Sequence, residues 1–412
     1  MIKNLIKEKS FCGLDIGAQS VKAALVHIRD SGQPVLSGVY ETRTTGYRDG
    51  SVTDLAELSE CLNRALSGLS KKSKVKIDAA ALGIGGELVV TRQSYAAIPL
   101  IDRGNKVITT QDIKKIRSQS KLLGIQMDEI VLHQFPLYYK IDDINISSNP
   151  LGLYGRKLEI DSLMILGKNT LIKNLVTAVN QAGCDISLLS FAGYAGSQAA
   201  LSDQQRREGC ILVDIGWSLS SVLMFQDGIL KALFFVPVGG MQITKSIAAS
   251  LHLTFDLAED IKRSYGFAPG PHEQVDEDIL IKREEEYAPI KKRAILEAIE
   301  PVCDRLVTSI IEIITNCEIA DQMTHGIVMV GGGALLPGLP ERLEAKTNFP
   351  VLVGHARCAA RKMGHAPKFI SSIGLAHMHA RGSLENPAEN GARGRGLAAV
   401  VQRVKELYQE YF

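Results

Sequence analysis

Two segments about two hundred residues apart carry one pattern. Phe11–Val26, FCGLDIGAQSVKAALV, and Cys210–Phe225, CILVDIGWSLSSVLMF, each run an apolar strand into Asp-Ile-Gly, a short polar turn and a second apolar strand. Each predicts a β-hairpin. A unit that returns at this distance predicts a duplicated fold, one half built around each hairpin. The chain has 412 residues, 45% of them hydrophobic. At roughly 150 residues per domain it holds two to three domains with their own cores.

Between the hairpins, helical periodicity covers Asp54–Leu69 and an apolar strand covers Asp78–Ile84. Residues 87–166 differ from their surroundings. Short strands holding Val89, Val90, Tyr95 and Ile98, a helix over Gln111–Leu123, and strands around Tyr138, Tyr139 and Leu158–Leu166 predict a small inserted α+β unit. The second half shows two long helical stretches, Met241–Tyr265 and Ala288–Asn316, separated by the acidic segment Ala268–Glu286, read as a loop with one short strand. The folded body ends near Arg381. Residues 382–396, GSLENPAENGARGRG, read as a flexible linker.

Lys and Arg number 47 against 45 Asp and Glu, a net charge of +2. That gives no broad basic field, which excludes nucleic acid as an expected partner. The seven cysteines are scattered and form no CxxC pair; they read as small buried hydrophobes in a reducing compartment. The start, MIKNLIKEKSF, lacks the apolar core of a secretory signal, and no window reaches the roughly 18 consecutive apolar residues of a membrane span. The expectation is a cytoplasmic chain that meets a membrane only by lying on it. His377 and His379 point to different helix faces and make a poor metal pair, and His133 reads as a structural residue in an apolar run.

Asp15-Ile-Gly17 and Asp214-Ile-Gly216 each put a carboxylate at a strand end and a glycine in the turn after it. Such turns bring backbone N–H groups to phosphate oxygens. Ser20 and either Ser218 or Ser220 add hydroxyl donors, Lys22 adds a point charge, and the aspartates can hold waters around Mg²⁺. Single Asp-Gly turns are also common turn chemistry, so the pairing carries the signal. A third cluster, Gly331, Gly332 and Gly333, follows the strand IVMV and permits close approach to a flat base or an α-phosphate; a tight strand-to-helix turn is the plainer reading. Gly239 and Gly240 open the helical stretch in which Glu259 and Lys262 lie three apart, suited to ribose hydroxyls or to a simple surface ion pair.

The order of these motifs resembles the actin, Hsp70 and sugar-kinase superfamily, and most closely the bacterial cell division family FtsA, over nearly the whole chain. The specific part is the insert, where IVLHQFPLYYKIDD (Ile130–Asp143) and NPLGLYGRKLEID (Asn149–Asp161) look like the subdomain that replaces one found in actin. The resemblance implies a duplicated, actin-like (ribonuclease H-like) α/β fold of two domains. It implies subdomain 1A at 1–86, 167–195 and 370–381, the inserted subdomain 1C at 87–166, 2A at 196–248 and 325–369, and 2B at 249–324. Small residues at Ala192, Gly193, Ala195, Gly196 and Ala199, and in SSIGLA (Ser371–Ala376), match the helices that cross between the halves. ATP and Mg²⁺ would lie between the halves. The chain departs from the family at its second phosphate loop, where Trp217 and Leu219 replace a glycine and a threonine, and at Lys245, which replaces an acidic residue. ATP binding with weak or absent hydrolysis is the expectation.

From Leu397, taking 100° per residue, Val400, Val401, Val404, Leu407, Tyr408, Tyr411 and Phe412 share an arc of about 140°, with Arg403 and Lys405 outside it. Helices that pack on their own domain show the same stripe. Behind a flexible linker it predicts a membrane-targeting helix at 397–412, as the FtsA resemblance implies, and weak single helices would act together on a polymer. The family's partner in subdomain 2B is the C-terminal peptide of FtsZ, for which Lys292, Arg293 and Arg305 are candidate contacts; later divisome proteins would meet the insert. The expected role is an adaptor at the cytoplasmic face of the membrane, at the division site. Two other classes share the fold: a PilM-like adaptor of a membrane assembly, which lacks the characteristic tail, and a metabolic kinase, which needs a catalytic carboxylate that the sequence does not supply.

Overall fold

The computed structural model describes residues 9–29, 33–100, 104, 106–146, 148–268, 277–283, 286–358 and 367–385. β1 (Ser10–Ile16) and β2 (Ser20–Ile28) form the first hairpin, with Asp15 opposite Lys22. β3 (Pro34–Arg43) extends it antiparallel. The Asp54 carboxylate then accepts the Glu57 N–H to start α1 (Leu55–Ser73), which buries Leu58, Leu62, Ala65, Leu66 and Leu69 along one face. β4 (Ala79–Ile84) returns parallel to β1.

The insert follows as β5 (Val89–Pro99), α2 (Thr110–Gly124), β6 (Glu129–Ile141), β7 (Ile144–Ile146) and β8 (Lys157–Lys168), in sheet order β7-β6-β8-β5. Its main strands are long, at 11, 13 and 12 residues, where the sequence pattern suggests short ones. β8 is central and pairs along its length with both neighbours. Register shifts at Asp161/Ser162 and Ile165/Leu166 interrupt the alternation, which is why the run does not read as one strand. His133 pins the insert to the body: its Nε2 accepts the Phe191 N–H at 3.1 Å, and its ring lies 4.6 Å from that of Tyr194. Burial holds this imidazole neutral, with its pKa pushed down to about 3.

α3 (Asn169–Gln181) and β9 (Asp185–Phe191) complete the first sheet, in order β9-β4-β1-β2-β3. After α4 (Ala192–Ala200) and α5 (Asp203–Glu208), the second half repeats the plan. β10 (Cys210–Ile215), β11 (Ser220–Gln226) and β12 (Ile229–Val236) run antiparallel. α6 (Gly240–Leu251), α7 (Phe255–Tyr265), the hairpin β13 (Asp278–Arg283) and β14 (Glu286–Lys291), and α8 (Lys292–Thr315) intervene before β15 (Ile327–Val330) returns parallel to β10. α9 (Leu339–Lys346), β16 (Val351–Val353) and α10 (Ile370–Glu385) end the described chain. The second sheet, β12-β11-β10-β15-β16, is the first read from its other end. This is the predicted duplicated actin-like plan.

Three boundaries differ from the sequence reading. Met241–Tyr265 is two helices, because His252 turns left-handed (φ 52°) and the Leu253 N–H closes on the Ala248 carbonyl at 2.9 Å. Ala288–Lys291 is strand rather than helix, and it pairs with β13 inside the segment expected to be mostly loop. α10 reaches Glu385, four residues beyond Arg381. The remaining linker residues and the predicted helix at 397–412 lie outside the described residues. No helix among those described is long and apolar enough to cross a membrane. Five cysteines are buried, and Cys317 and Cys358 are half-buried.

α4 and α10 cross at backbone contact, where a methyl added to Gly374 would lie 1.8 Å from the Ala195 carbonyl oxygen; α10 presses as closely on β1, where one added to Gly13 would lie 2.1 Å from the Ser372 carbonyl oxygen. Only small residues allow this approach, which explains the pattern seen at Ala192–Ala199 and Ser371–Ala376.

Candidate functional site

Each hairpin closes through the same hydrogen bond. The Gly17 N–H donates to the Ser20 carbonyl at 3.2 Å, and the Gly216 N–H to the Leu219 carbonyl at 3.1 Å. Asp15 and Asp214 thus occupy equivalent places, two residues before the glycine of each turn, and they face the same cleft closely enough to act on each other. The duplication extends to the parallel strands: β4 and β15 each run through glycines into a single turn of 3-10 helix, Gly86–Leu88 and Gly333–Leu335. Gly331 has φ 87°, and a methyl there would lie 2.4 Å from Asp214 Oδ1. A methyl on Gly333 would lie 2.1 Å from Ile215 Cγ2, whereas one on Gly332 would meet nothing within 4 Å. Gly331 and Gly333 therefore bring the backbone onto the second turn, and Gly332 faces open space.

The cleft floor is acidic. Burial pushes the Asp15 carboxyl up, Lys22 opposes the shift, and Glu87 adds to it. Asp214 is pushed up to about 6, first by burial and then by Asp15, with Lys22 again opposing. Lys22 Nζ would sit 3.7 Å from a methyl placed on Gly17, so the ammonium stands beside the first turn. Two carboxylates that resist ionising together, with one lysine near, suit a divalent cation whose charge relieves both. Among the described residues no three metal-type side chains converge, so a cation here would keep most of its ligands from water and phosphate.

Other candidates are held in specific ways. The Ser20 hydroxyl donates to Glu41 at 2.7 Å, and Lys368 holds the same carboxylate at 2.5 Å. Ser220 is buried and donates to the Val238 carbonyl at 2.7 Å, which leaves Ser218 as the hydroxyl at the cleft. The Gly240 and Met241 N–H groups donate to the carbonyls of Gly216 and Trp217 at 3.0 and 2.8 Å, and Gly239 donates to Gln242 Oε1 at 2.8 Å. This glycine pair buttresses the second turn with its peptide donors.

Glu259 and Lys262 pair at 2.6 Å, each with a side chain only 12% exposed, so the pair is internal to the cleft wall. Burial works to raise the Glu259 carboxyl, and hydrogen bonds from Lys262 and Thr244 outweigh it, leaving it below the usual range. Lys262 also donates to the Gly240 carbonyl at 3.0 Å and stands 4.8 Å from the Trp217 ring centre, in cation–π geometry. Trp217 meets the Phe255 ring edge-on at 5.9 Å. The indole is thereby accommodated against α7. Leu219 turns to the first half, where a methyl on Gly86 would lie 3.0 Å from its Cδ1.

Lys245 is exposed on α6. Lys292 and Arg293 begin α8, engaged with Glu277 at 3.0 Å and Glu297 at 2.8 Å, while Arg305 is exposed farther along the same helix.

Two residues in the cleft escaped sequence reasoning. Gln19 Nε2 reaches across from the first turn to Glu259 Oε1 at 2.8 Å. Glu87 accepts a hydrogen bond from the Ser218 hydroxyl of the opposite half. The duplication marks the loop that carries Glu87, since GIGGEL at the end of β4 answers VGGGAL at the end of β15, but it puts Ala334 opposite Glu87 and gives no sign of the carboxylate.

Comparison with known proteins matches residues 211–374 to the family model described as cell division protein FtsA, and residues 88–166 to the SHS2 domain inserted in FtsA. The chain is 26% identical over 410 residues to cell division protein FtsA of Escherichia coli (strain K12), covering 97% of this chain and 96% of that one. It is 23% identical over 369 residues to the Bacillus subtilis (strain 168) protein of the same name, covering 89% and 82%. Among solved structures it is similar to a PilM-PilN type IV pilus biogenesis complex, with TM-score 0.64 and 16% identity over 90% of this chain and 98% of that one. MreB 5 of Spiroplasma citri bound to AMPPNP gives TM-score 0.54 and 13% identity over 93% and 99%.

Proposed function

We propose that this chain, which belongs to the FtsA family of actin-like cell division proteins, binds ATP with Mg²⁺ between its halves, polymerises, and ties FtsZ filaments to the cytoplasmic face of the membrane at the division site. The observation that carries the nucleotide reading is the convergence of two equivalent Asp-x-Gly turns on one cleft, with Lys22 near enough to oppose the upward shift of both carboxylates. Asp15 and Asp214 would hold Mg²⁺ through its waters, and the ion would supply positive charge against the phosphates. Gly17, Lys22, Gly216 and Ser218 face the phosphates, with Ser20, Gly239 and Gly240 behind them. Glu259 and Lys262 face the ribose, and Gly331, Gly332 and Gly333 the base or α-phosphate. Trp217 and Leu219 in the second turn favour binding without brisk hydrolysis.

The membrane reading rests on the apolar arc of residues 397–412, with Arg403 and Lys405 beside it, and many tails on one filament bind by avidity. FtsZ's C-terminal peptide meets the α8 cations Lys292, Arg293 and Arg305, and later division proteins meet the insert. This insert carries most of the large apolar side chains exposed among the described residues, Tyr95, Leu123, Met127, Ile144 and Tyr154 among them, which supports a docking role. The insert's own family match favours this reading over a PilM-like adaptor, whose likeness here is one of fold.

Liposome co-sedimentation with anionic vesicles tests the membrane reading. Full-length protein should pellet, more strongly with Mg²⁺-ATP, and a chain ending at Gly396 should stay in solution. Equal pelleting of both would remove the tail from the account.

A further inference from the structure

The second turn is clasped by the first half at a point where the duplicated architecture asks for nothing. Glu87 lies in the 3-10 turn after β4, and its equivalent after β15 is the buried Ala334. The fold therefore does not need a charged side chain at this place. Yet the Glu87 carboxylate accepts from Ser218, and Gly86 presses so closely on the opposite half that a methyl would lie 2.8 Å from Phe235 and 3.0 Å from Leu219. The loop that carries Glu87 is seated by packing, so the carboxylate is aimed rather than dangling.

We propose that Glu87 is a phosphate-mimicking latch: its carboxylate and the polyphosphate of a nucleotide compete for the Ser218 hydroxyl, so that binding requires Glu87 to let go. The proposal rests on the nucleotide reading above and gives it a regulatory element. A carboxylate and a phosphate oxygen ask the same of a hydroxyl donor, and a donor with one proton serves one of them. Asp15, Asp214 and Glu87 share this cleft with Lys22, so an arriving polyphosphate also meets repulsion until Glu87 turns away. The Gln19–Glu259 hydrogen bond also spans the halves and remains available while the latch opens.

The test is the affinity of full-length protein for Mg²⁺-ATP, measured by calorimetry and by the fluorescence of Trp217, the one tryptophan of the chain and the neighbour of Ser218. Glu87→Ala should lower Kd about tenfold, the scale of one hydrogen bond to a charged group. Glu87→Gln, which keeps the shape and loses the charge, should lower it about threefold on the same scale and carries the test if the alanine variant fails to fold. Ser218→Ala should raise Kd, and in that background Glu87→Ala should lower it by clearly less than the roughly tenfold seen with Ser218 present, since the contested donor is gone and only the repulsion is left to relieve. Equal affinity in wild type and Glu87→Ala overturns the latch and leaves nucleotide binding standing. The same tightening with and without Ser218 also overturns it, by assigning the effect to repulsion alone. No binding of Mg²⁺-ATP by either protein sinks the nucleotide reading and the latch together.

Discussion

The turns Gly17–Ser20 and Gly216–Leu219 have the same closing hydrogen bond and the same carboxylate before them, and they differ in what they display. The first shows Ala18, Gln19 and Ser20, small or polar groups that reach outward to Glu259 and inward to Glu41. The second shows Trp217, Ser218 and Leu219, of which the outer two are committed to α7 and to Gly86. Duplication preserved the backbone because strand pairing and the glycine turn dictate it. The side chains diverged because one turn is left as a polar platform while the other became part of the contact between halves.

The glycines behind the second turn give the strongest way to break this comparison. Gly331→Ala should cost about 3 kcal/mol or more in chemical denaturation, from a left-handed backbone plus collision with Asp214 and Ile215. Ile84, which holds the equivalent place as the last residue of β4, already carries a side chain. A mild effect at Gly331 would mean that the second turn is not fixed from below.

The carboxylates come next. With Asp214 pushed up to about 6 from the usual 3.8, the folded protein holds a proton that the unfolded chain has released. Stability of nucleotide-free protein should therefore fall as pH rises between about 4 and 6 and then level off. Asp214→Asn should remove that decline and add about 2–3 kcal/mol at pH 7.5, with no gain below pH 4, as read from denaturation midpoints against pH. Asp15→Asn should act in the same direction. A decline that persists in both variants would show that the shared cleft is not its source.

Trp217→Ala should cost about 1–2 kcal/mol through lost contact with Phe255 and Lys262, whereas Ala18, its counterpart in the first turn, has no such contact to lose. The Trp217→Gly change, which puts a glycine where the bulky indole stands, should raise any release of phosphate from Mg²⁺-ATP, and an unchanged rate would separate the indole from hydrolysis. The smallest effect belongs to Arg43–Asp256, a bridge between the halves at 3.1 Å whose side chains are 78% and 73% exposed. Its coupling in a double-mutant cycle should stay below about 0.5 kcal/mol. A larger value would move part of the closure to the surface.

The hairpins were legible because period-two apolar patterning and Asp-Ile-Gly coincide, and the helices because their capping residues and apolar spacing agree. The β13–β14 hairpin was not, since DILIKR and EYAPIK mix charged residues and a proline into short runs that carry no clean period-two alternation. Nor was Glu87, because its loop stands where the insert begins and a carboxylate after two glycines has no local pattern. Its partner, Ser218, is 131 residues away in sequence. Contacts made between two halves cannot be read from either alone.

The crossing of α4 and α10 has a mechanical meaning as well. Where Gly374 rests on the Ala195 backbone, neither helix can slide along the other without driving main-chain atoms together, so that point behaves as a pivot. Motion of the second sheet about it is a swing, small at the pivot and growing with distance. The insert stands off that axis, fastened to the first sheet by His133 and touching the second through Lys231, whose ammonium donates to the Leu137 carbonyl at 3.4 Å. A swing of a few degrees in the cleft would strain the touch at Leu137, so the seat of the insert on the second half would register what the cleft holds.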